Sequence, residues 1–175
     1  MHILVYLKLS PEIINLLISE PEVTPPWTGL HMTILRANIL EEHIPLIHKA
    51  FEKICIEYFT VKIIGIKTFE KDGACTHVLA LSKPRALQEL HMNICTALAP
   101  FDKRPFFFEK SFHEIGGRYY TPHISIGYKE NPPRLIHTYT GMTIPYKAFH
   151  VMTKFCKESP WEHMRDYFLS STSDI

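Results

Sequence analysis

Several common catalytic devices are missing from this chain. It has no H-E-x-x-H motif and no Cys/His cluster at ligand spacing, so a zinc site is not expected. No glycine-rich loop of the phosphate-cradling kind occurs. The four cysteines, Cys55, Cys75, Cys95 and Cys156, include no C-x-x-C pair. Scattered through hydrophobic stretches, they are expected to be buried thiols in a reducing compartment. An excess of one charge sign is also missing. The formal net charge is +1, whereas binding to long duplex nucleic acid is driven by many lysines and arginines neutralising phosphates. A short or small anionic ligand fits such a chain better.

Long apolar runs are lacking too. None approaches the roughly 20 residues of a membrane helix, so no membrane association is expected. The start, Met1-His2-Ile3-Leu4-Val5-Tyr6, meets Lys8 and Ser10 too soon for a signal peptide. The expected location is cytoplasmic. What is present is ample core material. Hydrophobic residues make up 46% and charged residues 21% of 175 residues, enough for one domain or for two small lobes around a shared cleft.

Residues 2–9 alternate as a strand, with Ile3, Val5, Leu7 and Leu9 on a core face. His2, Leu4, Tyr6 and Lys8 fall on a face too polar for a core, suited to lining a cleft. Ser10-Pro11-Glu12 opens a helix to about Ser19, with Ser10 as N-cap. A turn-rich loop then leads to a strand over Leu30–Leu35. Glu41 to about Glu57 has helical spacing, with Pro45 tolerated near its start. Two strands, Phe59–Phe69 and Cys75–Leu81, are joined by a turn at Lys71-Asp72-Gly73. Pro84–Leu98 is an amphipathic helix with Leu87, Leu90, Ile94 and Leu98 as its stripe. A long connection over 100–121 mixes aromatic and basic residues. A strand over His123–Tyr128 follows, broken by Asn131-Pro132-Pro133. Ala148–Phe155 and Trp161–Leu169 read as a closing hairpin, the last segment being compatible with a helix. The order β-α-β-α-β-β-α-β followed by further strands indicates an α+β fold.

Of eleven histidines, two stand two positions before a Ser or Thr in a strand-like segment. They are His31 in Leu30-His31-Met32-Thr33-Ile34 and His123 in Pro122-His123-Ile124-Ser125-Ile126. In a strand, residues i and i+2 share a face. His31 and Thr33 therefore point one way and Met32 and Ile34 the other; His123 and Ser125 repeat the arrangement. Phosphodiester cleavage needs a base for the nucleophile and an acid for the leaving oxygen, and histidine serves either role near neutral pH. Hydroxyls two residues along can donate to the non-bridging oxygens as charge builds. This chemistry needs no metal or cofactor.

The doubled His-x-Thr and His-x-Ser strands, and the order of elements around them, resemble the 2H phosphoesterase superfamily, which includes 2'-5' RNA ligase-like proteins and cyclic phosphodiesterases. The resemblance covers nearly the whole chain. It implies two pseudo-symmetric lobes with antiparallel sheets, each lobe giving one motif to a central cleft. It implies His31, Thr33, His123 and Ser125 as the catalytic set. One departure is Tyr128, where many relatives carry a basic residue after the second motif; another is the long aromatic connection.

Around this set, Tyr6 is positioned to stack on a base or to pack beside the motif strands. Trp27, four residues before His31, either covers the cleft or packs on its own lobe. Arg118 and Tyr120 approach His123 and suit a nucleotide, with a solvated loop as the competing interpretation. His77, in a strand, could face the cleft, but a structural role is favoured. The expected partner is a small nucleotide or short RNA substrate, with no obligatory protein partner. The resemblance allows three substrate classes: a 2'-5' linked or cyclic messenger such as oligoadenylate or cyclic GMP–AMP, which viral members of the superfamily remove; a terminal 2',3'-cyclic phosphate; and RNA ends more generally. The rival of a different class is a nucleotide-binding module without turnover.

Overall fold

In the computed structural model the described residues are 1–21, 23–25, 29–71, 74–103, 120–127, 136–156 and 158–170. The strands are β1 (His2–Lys8), β2 (His31–Asn38), β3 (Phe59–Lys71), β4 (Ala74–Leu81), β5 (His123–Gly127), β6 (Thr143–Tyr146), β7 (Ala148–Lys154) and β8 (Glu162–Phe168). The helices are α1 (Pro11–Ile18), α2 (Ile44–Phe51), α3 (Arg85–Leu98) and the short α4 (Ile136–Tyr139). All eight strands form one antiparallel sheet in the order β6-β3-β4-β5-β2-β1-β7-β8.

That order is pseudo-symmetric. Each half is four strands, with its motif strand innermost: β5 with β4, β3 and β6, and β2 with β1, β7 and β8. The halves meet at a single ladder pair, Met32 opposite Ile124. Both side chains are fully buried, which stabilises the seam by about 1.5–3 kcal/mol each.

Alternation sends one face of the sheet into the core. Ile3, Val5, Leu7 and Leu9 of the first strand segment are buried there, as are Leu87, Leu90, Ile94 and Leu98 of α3. Ser10 caps α1 by accepting from the Ile13 N–H at 3.4 Å. The opposite face carries Tyr6, His31, Thr33, His123 and Ser125, and forms the cleft. Leu4 lies on that face too, yet it is fully buried between its ladder neighbours Arg36 and Met152.

Several expectations need correction. The helix expected over Glu41–Glu57 is a 3-10 turn at Glu41–His43 followed by α2, which ends at Phe51. The chain leaves the helix because Glu57 bridges Ser170 and the Tyr58 N–H donates to the Ser170 carbonyl. The ambiguous last segment is β8, hairpinned with β7. A short helix, α4, and an edge strand, β6, went unforeseen; four-residue elements show little periodicity. Of the cysteines only Cys95 is buried, its thiol pushed up to about 12 by that burial, while Cys55 and Cys156 are exposed. The turn at Asp72-Gly73, most of the aromatic connection, Tyr128 and the Asn131-Pro132-Pro133 break lie outside the described residues. Among the described residues, no helix is long and apolar enough to cross a membrane.

Candidate active site

Both motif strands depart from regular pairing at the same place. On β1, Tyr6 pairs with Thr33 but Val5 pairs with Leu35, leaving Ile34 without a ladder partner. On β4, Val78 pairs with Ser125 but His77 pairs with Gly127, leaving Ile126 without one. Each motif strand thus carries an extra residue directly after its Thr or Ser. Such a bulge bends the strand and re-aims its side chains. The burial sequences agree residue for residue: His half-buried, apolar buried, hydroxyl half-buried, then two buried residues. The carbonyl of Ile126 is satisfied from outside the ladder, accepting from the Thr24 N–H at 2.8 Å.

The Met32–Ile124 pair fixes the rest of the geometry. Paired residues of an antiparallel ladder share a face, and their immediate neighbours share the other. His31, Thr33, His123 and Ser125 therefore project together from the cleft face. Each histidine falls beside the other strand's hydroxyl residue, and the two histidines lie on a diagonal. Diagonal positions are about 7–8 Å apart, which leaves room for a phosphate between the imidazoles.

Each imidazole is held in the same way. His31 Nδ1 lies 3.0 Å from the Gly29 carbonyl, and His123 Nδ1 lies 2.8 Å from the Thr121 carbonyl. A carbonyl only accepts, so Nδ1–H is the donor in both rings and Nε2 is left to face the cleft. Gly29 presents its carbonyl with φ +76, a left-handed conformation that glycine adopts without steric cost. An aromatic ring stands edge-on to each imidazole: Tyr6 at 5.3 Å from His31, and Phe69 at 5.1 Å from His123.

The surroundings of His31 act on its charge. Burial holds His31 below the ordinary imidazole range. The Gly29 hydrogen bond opposes that shift, while Arg36 and His123 reinforce it. Tyr6 is pushed up by burial and then by the Asp166 carboxylate.

The surroundings also differ between halves. The β1 neighbours of His31 and Thr33 are Lys8 and Tyr6; the β4 neighbours of His123 and Ser125 are Ala80 and Val78. The strand flanking the motif is polar in the first half, while in the second its paired residues Val78 and Ala80 are apolar and buried.

Of the residues singled out for substrate contact, Tyr6 lies on the cleft face beside His31. Trp27 and Arg118 lie outside the described residues. Tyr120 does not line the cleft. It is 7% exposed, stacks on buried His91 at 4.1 Å, and donates through its hydroxyl to the Thr33 carbonyl at 3.1 Å. Nearness to His123 along the chain does not bring Tyr120 to the ligand, because the chain enters β5 from the core side. His77 is buried and shares a 3.0 Å hydrogen bond with Thr68, a structural role.

Sequence reasoning missed Arg36. Strict alternation from His31 puts position 36 in the core, and the bulge at Ile34 returns it to the cleft face opposite Leu4. The available signal was an arginine at a core-parity position inside an otherwise apolar run. Among the described residues, no group of three or more His, Cys, Asp or Glu could hold a metal ion.

Known proteins share the family pattern and the fold. Residues 20–151 match the family model of the 2'-5' RNA ligase superfamily. Similar solved structures include TT0787 of Thermus thermophilus, with a TM-score of 0.70, 14% identity, and coverage of 98% of this chain and 100% of that one. E. coli LigT complexed with 3'-AMP superposes with a TM-score of 0.64 at 15% identity, covering 97% of this chain and 98% of LigT. LigT complexed with NADP+ gives a TM-score of 0.66 at 15% identity, covering 96% and 97%. These likenesses show a shared fold. No curated protein matches by sequence. With well over half its length matched by the family model and both His-x-[Ser/Thr] motifs in place, the chain belongs to the 2'-5' RNA ligase superfamily of 2H phosphoesterases.

Proposed function

We propose that this protein is a metal-independent phosphodiesterase acting on a small nucleotide, with His31 and His123 as its acid/base pair. The observation that carries this is the repeated device: two imidazoles on one face, each donating Nδ1–H to a carbonyl two residues back and each leaving Nε2 to face the cleft.

His31 is assigned the base, because burial, Arg36 and His123 all disfavour its cation. Its Nε2 takes a proton from the nucleophile as the new P–O bond forms. The P–O bond to the leaving group breaks, and His123 delivers a proton to the departing oxygen. Thr33 and Ser125 donate their hydroxyls to the non-bridging oxygens. With water as nucleophile the product is a monoester; with a neighbouring ribose hydroxyl it is a cyclic phosphate.

The substrate class proposed first is a 2'-5' linked or cyclic dinucleotide-type messenger, such as oligoadenylate or cyclic GMP–AMP. A net charge of +1 supports it over long RNA. A test presents 2'-5' oligoadenylate, 2',3'-cyclic GMP–AMP, its 3',3' isomer and 2',3'-cyclic AMP in EDTA. Cleavage of either of the first two supports the messenger class. Cleavage of 2',3'-cyclic AMP alone redirects the assignment to terminal cyclic phosphates. Nucleotide binding without cleavage of any substrate leaves a non-catalytic binding module.

A further inference from the structure

A row of paired residues runs outward from the first motif across the cleft face. Thr33 pairs with Tyr6, Tyr6 with His150, and His150 with Asp166. Four strands at about 4.7–4.9 Å spacing put Asp166 about 14 Å from Thr33, the scale of a nucleoside attached to a phosphate at the motif.

The far end of this row is built, not merely exposed. His150 Nδ1–H donates to Asp166 Oδ1 at 2.6 Å, and its side chain is only 15% exposed. His163 Nε2 approaches the same oxygen at 3.2 Å. The Tyr6 and His150 rings lie 5.3 Å apart at a tilt of 36°. His150 is thus a third imidazole on the sheet's cleft face held through Nδ1, here by a carboxylate.

The fold does not require this row. Its counterpart in the other half runs from Ser125 to Val78 to Lys67. The motif is kept in both halves, but the flanking row is not. The polar row is thus particular to the first half, where it continues from the motif to Asp166.

We propose that Tyr6, His150 and Asp166 form a nucleoside subsite beside the catalytic pair, with Tyr6 as an aromatic wall and the His150–Asp166 pair reading a hydrogen-bond-donating edge of the nucleoside. The Asp166 carboxylate, oriented by His150, has lone pairs beyond those that His150 and His163 use. An acceptor there selects donors: a base amino group or ribose hydroxyls. The subsite deepens the nucleotide-substrate reading and rests on it.

Equilibrium binding tests the subsite without turnover. Adenosine 5'-monophosphate, inosine 5'-monophosphate, 2'-deoxyadenosine 5'-monophosphate and inorganic phosphate are titrated into the unmodified protein and into Asp166→Asn and His150→Gln. Each substitution is expected to weaken adenosine monophosphate about tenfold, the size of one hydrogen bond to a charged or paired group, while phosphate affinity stays within about twofold. On the unmodified protein, a tenfold loss for the inosine nucleotide identifies the amino group as the donor. The same loss for the deoxy nucleotide identifies the ribose.

Equal affinity for all three nucleotides overturns the proposal, and so does the absence of nucleotide binding. A parallel loss of phosphate and nucleotide affinity in the variants assigns the pair a structural role and also overturns it. If the variants do not fold, the analogue series on the unmodified protein decides alone. A protein that shows these preferences but cleaves no phosphodiester keeps the subsite and loses the enzymatic assignment.

Discussion

The hydroxyl of Tyr120 donates to the main-chain carbonyl of Thr33 at 3.1 Å, joining the approach to the second motif to the strand of the first. The contact links the two halves and is partly buried. Tyr120→Phe removes the donor and leaves a carbonyl short of one partner. The expected loss of stability is about 1 kcal/mol, read from the urea unfolding midpoint. Because Thr33 stands on the same backbone, kcat should fall while KM changes little. Unchanged stability and unchanged kcat would show that this bond positions nothing.

On the proposed mechanism the two imidazoles act as a unit. His31→Ala and His123→Ala should each lower kcat by about 10²–10⁴, the contribution of positioned acid/base groups. The double variant should be little worse than the slower single variant, since removing one partner already disables the transfer. Nucleotide affinity should stay within a few-fold in all three. Single-turnover rates and equilibrium titration check both halves of this expectation.

The hydroxyls are tested separately. Thr33→Val and Ser125→Ala keep the half-buried volume nearly unchanged but delete the donor. Each should cost about 10²–10³ in kcat, the range seen when one oxyanion donor is lost. The loss should be smaller for ground-state analogues than for the reaction rate. An effect confined to KM would place these residues in uniform binding.

The pH dependence follows from the direction of the His31 shift. Burial, Arg36 and His123 lower its pKa, so the base stays unprotonated to a lower pH than an ordinary histidine at about 6.5. The acid limb of kcat/KM is therefore expected below that value. Arg36→Gln removes one lowering influence and should move the limb upward, and added salt should move it the same way by screening Arg36. The stability linkage has a definite sign. Below about pH 6.5 the unfolded chain binds a proton at position 31 that the native state resists, so stability falls as pH drops through that window. His31→Gln should flatten the fall. A limb that moves down in Arg36→Gln would contradict the electrostatic assignment.

Much of the site is legible in the amino-acid sequence. The alternation around Met32 and Ile124 is enough to put His31 with Thr33 and His123 with Ser125 on the polar face of their strands. The first strand likewise shows Tyr6 on that face. The bulges are not legible, because Ile34 and Ile126 look like ordinary core residues and an extra residue becomes visible only once pairing partners are known. Arg36 and its action on His31 are lost with them. Tyr120 is misplaced for a related reason: closeness along the chain does not say which face the backbone enters from. His150 and Asp166 are 16 residues apart and meet only through the β7–β8 hairpin register, which no local pattern announces.

The most direct test of the two-histidine site is cleavage of 2'-5' oligoadenylate and 2',3'-cyclic GMP–AMP in EDTA by the unmodified protein and by His31→Ala and His123→Ala. The expected result is cleavage of at least one substrate without divalent metal, slowed by about a hundredfold or more in each single variant while the fold and nucleotide binding persist. Cleavage that keeps its rate after either substitution, or that appears only when metal is restored, would contradict the assignment of His31 and His123 as the acid/base pair.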